Sequence, residues 1–243
     1  NSVIVDKANT HFYTDKIGFM RIIDAETEEL ISCYKPKITE YIVPEKVKRL
    51  SINAFEYACD LVNLQLPKGL TSFDEDCLPT TSTYPLNLYC SIKQLELPEA
   101  ITSFHRGHRN IQYSVAKENT TFFLENHVFY QKTEEGYIAL FTDYLEPNLV
   151  LKEGTVEIAE SAFRNNSNKK LESIVLPATV KRIRANAFLE SGLKEVHMQE
   201  GVEVIESKAF YGCQLTKLSI PASVNCFASS AIAHNPMEEI IVD

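Results

Sequence analysis

The stretch that decides the fold reads as three lines of equal length: LESIVLPATVKRIRANAFLESG (171–192), LKEVHMQEGVEVIESKAFYGCQ (193–214) and LTKLSIPASVNCFASSAIAHNP (215–236). Set under one another, the pairs Ile174/Leu176, Val196/Met198 and Leu218/Ile220 recur every 22 residues, and Ile240/Val242 continues the step. A period of that length around an L-x-L core marks a solenoid, in which one repeat cannot bury its apolar face until a neighbour stacks on it. A looser copy, EPNLVLKEGTVEIAESAFRNNSNKK (146–170), precedes them. Its NNSNKK loop stretches the step from Ala162-Phe163 to Ala187-Phe188 to 25 residues.

Each position has a physical reading. Residues two apart on a strand share a face, so Leu218 and Ile220 point inward while Lys217 and Ser219 point out. Proline closes the strand at Pro67, Pro98, Pro177 and Pro221, having no N–H to offer a ladder. The V-x-x-I segments (Val180/Ile183, Val202/Ile205) bring apolar groups back to the core. Alanine then allows close approach of coils, and Phe188 and Phe210 are expected to stack as a column. Cys59 and Cys213 follow an AF pair in the same way and read as buried free thiols, with a Cys213–Cys226 bridge as the alternative. The six cysteines (Cys33, Cys59, Cys77, Cys90, Cys213, Cys226) show no C-x-x-C spacing, which argues against a zinc ribbon or a redox dithiol.

The pattern resembles the BspA-like leucine-rich-repeat family of bacterial proteins. The resemblance is carried by Ala54-Phe55 with Cys59, Leu61, Leu64 and Leu66-Pro67. Ala187-Phe188 with Leu193 and Val196 carries it again, as does Ala209-Phe210 with Cys213, Leu215, Leu218, Ile220-Pro221 and Val224. It implies a mainly β, right-handed leucine-rich-repeat solenoid with parallel strands and 22-residue coils. It also implies a cell-surface or secreted protein that acts in adhesion or host-protein binding. The N-terminal half departs from the pattern: Leu64 to Leu95 spans 31 residues, and ITSFHRGHRNIQY (101–113) lacks the AF-x-x-C element.

A longer repetition lies over the first. VDKANTHFYTDKIGFM from Val5 aligns with VAKENTTFFLENHVFY from Val115 at an offset of 110, matching Asn9/Asn119, Phe12/Phe122 and Phe19/Phe129. Leu30/Leu140 and Pro67/Pro177 keep that offset. Each copy is expected to open on an inserted β-hairpin, IGFMRII with ELISC and HVFYQK with GYIALFT, lying across the solenoid edge. The domain reading is a hairpin with irregular repeats over 1–112 and a hairpin with regular repeats over 113–243, in one continuous solenoid. The closing IIVD (240–243) resembles the opening VIVD (3–6), which reads as whole modules of a chain that continues on one side.

With 44% hydrophobic and 23% charged residues among 243, the composition is that of a globular protein with a real core. A net charge of −9 opposes nucleic acid and anionic membrane surfaces as partners. No apolar run reaches the roughly 18 residues needed to span a bilayer, so no membrane insertion is expected. There is no G-x-S-x-G, H-E-x-x-H, P-loop or G-x-G-x-x-G, and neither an enzyme nor a cofactor or metal site is expected. His105, Arg106, His108 and Arg109 form one basic cluster, read as a solvated loop, with an anion or metal site as the alternative. The sequons at Asn119-Thr120-Thr121 and Asn165-Asn166-Ser167 are short patterns that chance supplies.

The outward strand positions form two columns: Asn63, Gln94, Ser173, Glu195, Lys217, Glu239, and Gln65, Glu96, Val175, His197, Ser219, Ile241. The candidate binding face is Ser173, Val175, Glu195, His197, Lys217, Ser219, Glu239 and Ile241, and its expected partner is a protein. These columns are chemically mixed and hold no aromatic cluster. Glu195 and Glu239 lie two coils apart with Lys217 between them, which makes a solvated ladder rather than an acid/base pair. The alternatives are a spacer that displays another domain, and a carbohydrate-binding module, which requires an aromatic platform or converging carboxylates.

Overall fold

The computed structural model describes residues 3–73, 75–78, 91–104, 111–142, 146–164 and 171–243. Cys90, the basic cluster of residues 105–109 and the second sequon lie outside the described residues. The chain forms two compact units, residues 1–122 and 123–243.

The first unit opens with an antiparallel meander of β1 (Phe12–Thr14), β2 (Gly18–Ile22) and β3 (Glu28–Cys33). The expected hairpin is β2–β3. β1 is a third strand whose three residues are too short a run to read from sequence. Instead of crossing the solenoid edge, β3 pairs in parallel with β5 (Val47–Leu50), so the meander extends the sheet in its own plane. L-x-L strands β4 (Glu40–Ile42) and β6 (Asn63–Gln65) pair in parallel, as do β8 (Gln94–Leu97) and β10 (Gln112–Val115). The return strands β7 (Ser72–Phe73) and β9 (Ser103–Phe104) pair likewise.

The second unit repeats this plan with more regular coils. Its meander is β11 (Phe122–Glu125, starting on the last residue of the first unit), β12 (Val128–Lys132) and β13 (Tyr137–Thr142). It runs on through the return strands β15 (Thr155–Ile158), β17 (Arg182–Ile183), β19 (Val204–Ile205) and β21 (Cys226–Phe227) as one seven-stranded sheet. The L-x-L strands are β14 (Asn148–Val150), β16 (Ser173–Val175), β18 (Glu195–His197), β20 (Lys217–Ile220) and β22 (Glu239–Val242). They form two parallel ladders, β14–β16–β18 and β20–β22, with β18 beside β20 but not in one ladder with it. This is a β-solenoid, as the repeat requires.

The aromatic column is one ring longer than expected. Phe188 stacks between Phe163 at 5.2 Å and Phe210 at 5.1 Å, with rings within 9° of parallel. Ile174, Leu176, Val180, Ile183, Val202 and Ile205 surround it, all fully buried. The residue before each Ala-Phe pair (Ser161, Asn186 and Lys208, and Asn53 in the first unit) takes a left-handed φ near +60°, which turns the chain inward. Two inward assignments need correction. Val196 and Met198 pack on the core only half-buried. Ile240 and Val242 are 48% and 71% exposed, because no described strand pairs with the outer edge of β22.

The thiols also divide. Cys213 is buried and donates from Sγ to the Phe188 carbonyl at 3.0 Å, whereas Cys59 is only half-buried. Cys226 is exposed on β21, and both it and Cys213 are free, so the bridge is absent.

The duplication survives in detail, down to a bulge between Phe19 and Met20 in β2 and between Phe129 and Tyr130 in β12. The turn of residues 133–136 is one residue shorter than 23–27. Register therefore sets Met20 against Leu30 but Tyr130 against Ala139, so the counterpart of Leu30 is Ala139 and not Leu140. A large side chain facing a small one replaces two of middle size.

Asn119 opens β11. It is buried, its Nδ2 donates to the carbonyls of Pro98 (2.9 Å) and Ile101 (3.1 Å), and its Oδ1 accepts the N–H groups of Thr121 and Phe122. With the amide nitrogen engaged on both hydrogens, this sequon has no room for a glycan. Asn9, its counterpart, is exposed and makes only the two acceptor bonds, to His11 and Phe12.

Under the first meander lies a polar knot. Tyr13 donates to the buried Glu28, and Tyr41 donates to Asp15 at 2.9 Å. Arg21 bonds Glu29, which also accepts Ser51 Oγ at 2.7 Å. Burial, reinforced by the adjacent carboxylates, pushes both phenols far above the usual tyrosine range. A folded-state pKa above the unfolded value gives stability that is present below about pH 10 and lost as pH rises beyond it. Alkaline titration is therefore expected to ionise Tyr13 and Tyr41 only together with loss of the β circular-dichroism signal. Ionisation of all 11 tyrosines with the signal intact would refute this.

Candidate binding surface

Burial of Leu149, Ile174 and Leu218 turns their strand neighbours outward, since side chains alternate along a strand. The first outward column of the second unit is Asn148, Ser173 and Glu195, followed by Lys217 and Glu239. The second is Val150, Val175 and His197, followed by Ser219 and Ile241. Ser173 and Asn148 are hydrogen-bonded at 2.7 Å, Lys217 pairs with Glu239 at 2.8 Å, and Lys194 pairs with Glu172 at 3.2 Å. His197 Nε2 lies 3.4 Å from Glu195 on its own strand. In the first unit Asn63, Gln65, Gln94 and Glu96 project outward as expected.

The expected columns are thus real, but the ladder beneath them breaks between β18 and β20. Ser173, Val175, Glu195 and His197 sit on one ladder, and Lys217, Ser219, Glu239 and Ile241 on the other. Asn148 and Val150 were missed. Val150 stands 61% exposed at the head of its column, and phasing EPNLVL with Leu149 and Leu151 inward would have placed both.

The return strands carry a charge network that the repeat also encodes. Arg184 bonds Glu157 at 2.9 Å and Glu206 at 3.4 Å, and Arg182 reaches Glu206 at 3.5 Å. The bond to Glu157, reinforced by Glu206, holds the Arg184 guanidinium more firmly protonated. Arg184 and Glu206 are 22 residues apart, so aligned coils reveal the pair.

An aromatic cluster lies off the L-x-L columns, on the second meander. Phe123 stacks on the buried Tyr130 at 5.2 Å and meets Tyr137 edge to face at 5.2 Å. Lys152 bonds both oxygens of Glu125, at 3.0 and 2.9 Å, which raises its pKa. A shallow pocket of about 180 Å³ in the first unit, lined by Ser51, Ile52, Ser72 and Phe73, falls below the roughly 300 Å³ of ordinary small-molecule sites. Among the described residues no three His, Cys, Asp or Glu side chains are placed to hold a metal ion, and no helix is long and apolar enough to cross a membrane.

The BspA type leucine rich repeat region pattern matches six copies in this sequence, over residues 29–133 and 140–242. The chain belongs to the BspA-type leucine-rich-repeat family. Its fold is shared with solved structures of low identity. One is a leucine rich cell surface protein of Faecalibacterium prausnitzii, at 19% identity and a TM-score of 0.59, covering 86% of this chain and 60% of that one. Another is the pneumococcal vaccine antigen PcpA, at 19% identity and a TM-score of 0.64, covering 85% of this chain and 51% of that one. This BspA-type chain therefore spans between half and three fifths of the length of those proteins. No curated protein sequence matches it.

Proposed function

We propose that this BspA-type domain is a non-enzymatic protein-binding module of a bacterial cell-surface or secreted protein, acting in adhesion or host-protein capture through the L-x-L face of the second unit. The observation that carries the reading is Val150, a large apolar side chain standing 61% exposed at the head of a rigid array of mixed polar and charged groups. A preordered sheet surface has little entropy to lose on binding, so modest contacts add usefully. The names of the two structural relatives, a cell surface protein and a vaccine antigen, agree with an exposed location.

A spacer role draws on a different observation. Lys217–Glu239 and Lys194–Glu172 satisfy one another across coils and leave those charges little demand for a partner. Binding to a panel of extracellular-matrix and serum proteins separates the two. The triple variant His197→Ala, Lys217→Glu, Glu195→Lys is expected to weaken saturable binding at least about tenfold at unchanged thermal stability. Absence of saturable binding by the unmodified protein would favour the spacer.

A further inference from the structure

The second meander carries an arrangement that the fold does not require. Pro44, Pro67, Pro98, Pro177 and Pro221 each accept the turn bond from the residue three places on, and Lys152 takes that place with its own bond from Thr155. Lysine here gains what proline lacks: its N–H donates to Tyr130 Oη at 3.1 Å, and its ammonium reaches Glu125. In the first unit the corresponding places hold Tyr13, Met20, Glu28 and Pro44. That copy folds with a tyrosine–glutamate bond in place of the aromatic and lysine group.

Around the half-exposed rings of Phe123 and Tyr137 stand two ammonium groups. Lys132 Nζ is 5.7 Å from the Phe123 centroid, and Lys152 Nζ is 5.9 Å from Phe123 and 5.6 Å from Tyr137. Lys152 is engaged by Glu125, whereas Lys132 is exposed and has no ion-pair partner among the described residues. An open cation, an aromatic edge and a carboxylate acceptor thus stand together on a scaffold locked by the Tyr130–Lys152 bond.

We propose that this group is a binding site for an acidic sugar, a pyranose ring bearing one carboxylate. The sugar's C–H groups lie against the exposed edge of the Phe123–Tyr137 pair, the carboxylate meets Lys132, and hydroxyls donate to Glu125. An acidic peptide fits less well, because it offers a run of carboxylates to a surface containing Glu125 on a chain of net charge −9. The site is separate from the L-x-L face and stands or falls independently of it.

The test is ligand-observed saturation-transfer NMR on the whole chain with four probes: a glucuronate-containing oligosaccharide, sialyllactose, lactose and an aspartate-rich peptide. Saturable binding of at least one acidic sugar at about millimolar Kd is expected, with the two acidic probes distinguishing a uronic from a sialic source. Lys132→Gln, an exposed change that leaves the melting temperature in place, weakens it at least about fivefold, and Phe123→Leu does the same. His197→Ala has no effect. The proposal is overturned if neither acidic sugar binds, if lactose or the peptide binds as tightly, or if Lys132→Gln binds like the unmodified protein.

Discussion

Replacing Asn119 by alanine is expected to destabilise the first unit by about 3 kcal/mol, the cost of leaving several buried backbone groups unpaired. Its side chain bonds four backbone groups, the carbonyls of Pro98 and Ile101 and the N–H groups of Thr121 and Phe122, of which the Pro98 carbonyl keeps a second, long bond from the Ile101 N–H. Alanine makes none of these bonds. Asn9→Ala removes two bonds at an exposed position, so its effect stays below about 1 kcal/mol. Urea denaturation of the two variants separates the cases, since equal effects would mean that the aligned asparagines share one role. The same geometry means that expression in a glycosylating host leaves Asn119 unmodified, as an intact-mass measurement can check.

Phe188→Ala is the second large effect, about 4 kcal/mol, because a ring removed from a full core leaves a cavity as well as losing its transfer free energy. Phe188 is the middle ring of three, so the deletion also ends both stacking contacts, each worth about 1 kcal/mol. Phe188→Leu keeps most of the volume and is expected to cost nearer 1.5 kcal/mol. A Phe188→Ala variant as stable as the unmodified chain would show that the column merely fills space between independently stable coils.

What the sequence revealed followed from what a period can encode. The 22-residue step places Ile174, Leu218, Phe188 and Phe210 directly, because each coil repeats the same solution to the same packing problem. The alternation rule also placed the outward columns, including Lys217 opposite Glu239. Features that break the period stayed hidden. Lys152 at a proline position is visible as an irregularity, but its meaning needs Glu125, Phe123 and Tyr137, which only the folded meander brings around it. β1 is too short to have a detectable alternation. The gap between β18 and β20 leaves no trace at all, since the spacing from Glu195 to Lys217 is as regular as any other.

That gap has a mechanical consequence. In a stacked array each coil is held only by its neighbours, and opening propagates until it meets a well-joined interface. The block from β20 to the C-terminus is joined to the preceding coil by the β19–β21 ladder and at the Ala-Phe turn, where Phe210 and Gly212 N–H donate to the carbonyls of Ala231 and Ala233, while the β18–β20 side lacks a ladder. On mild heating the unladdered β18–β20 seam is expected to loosen before the turn and return sides, which amide hydrogen exchange on β20 would report. A ligand bridging Glu195 and Lys217 would close that seam, so its binding is expected to protect β20 from exchange.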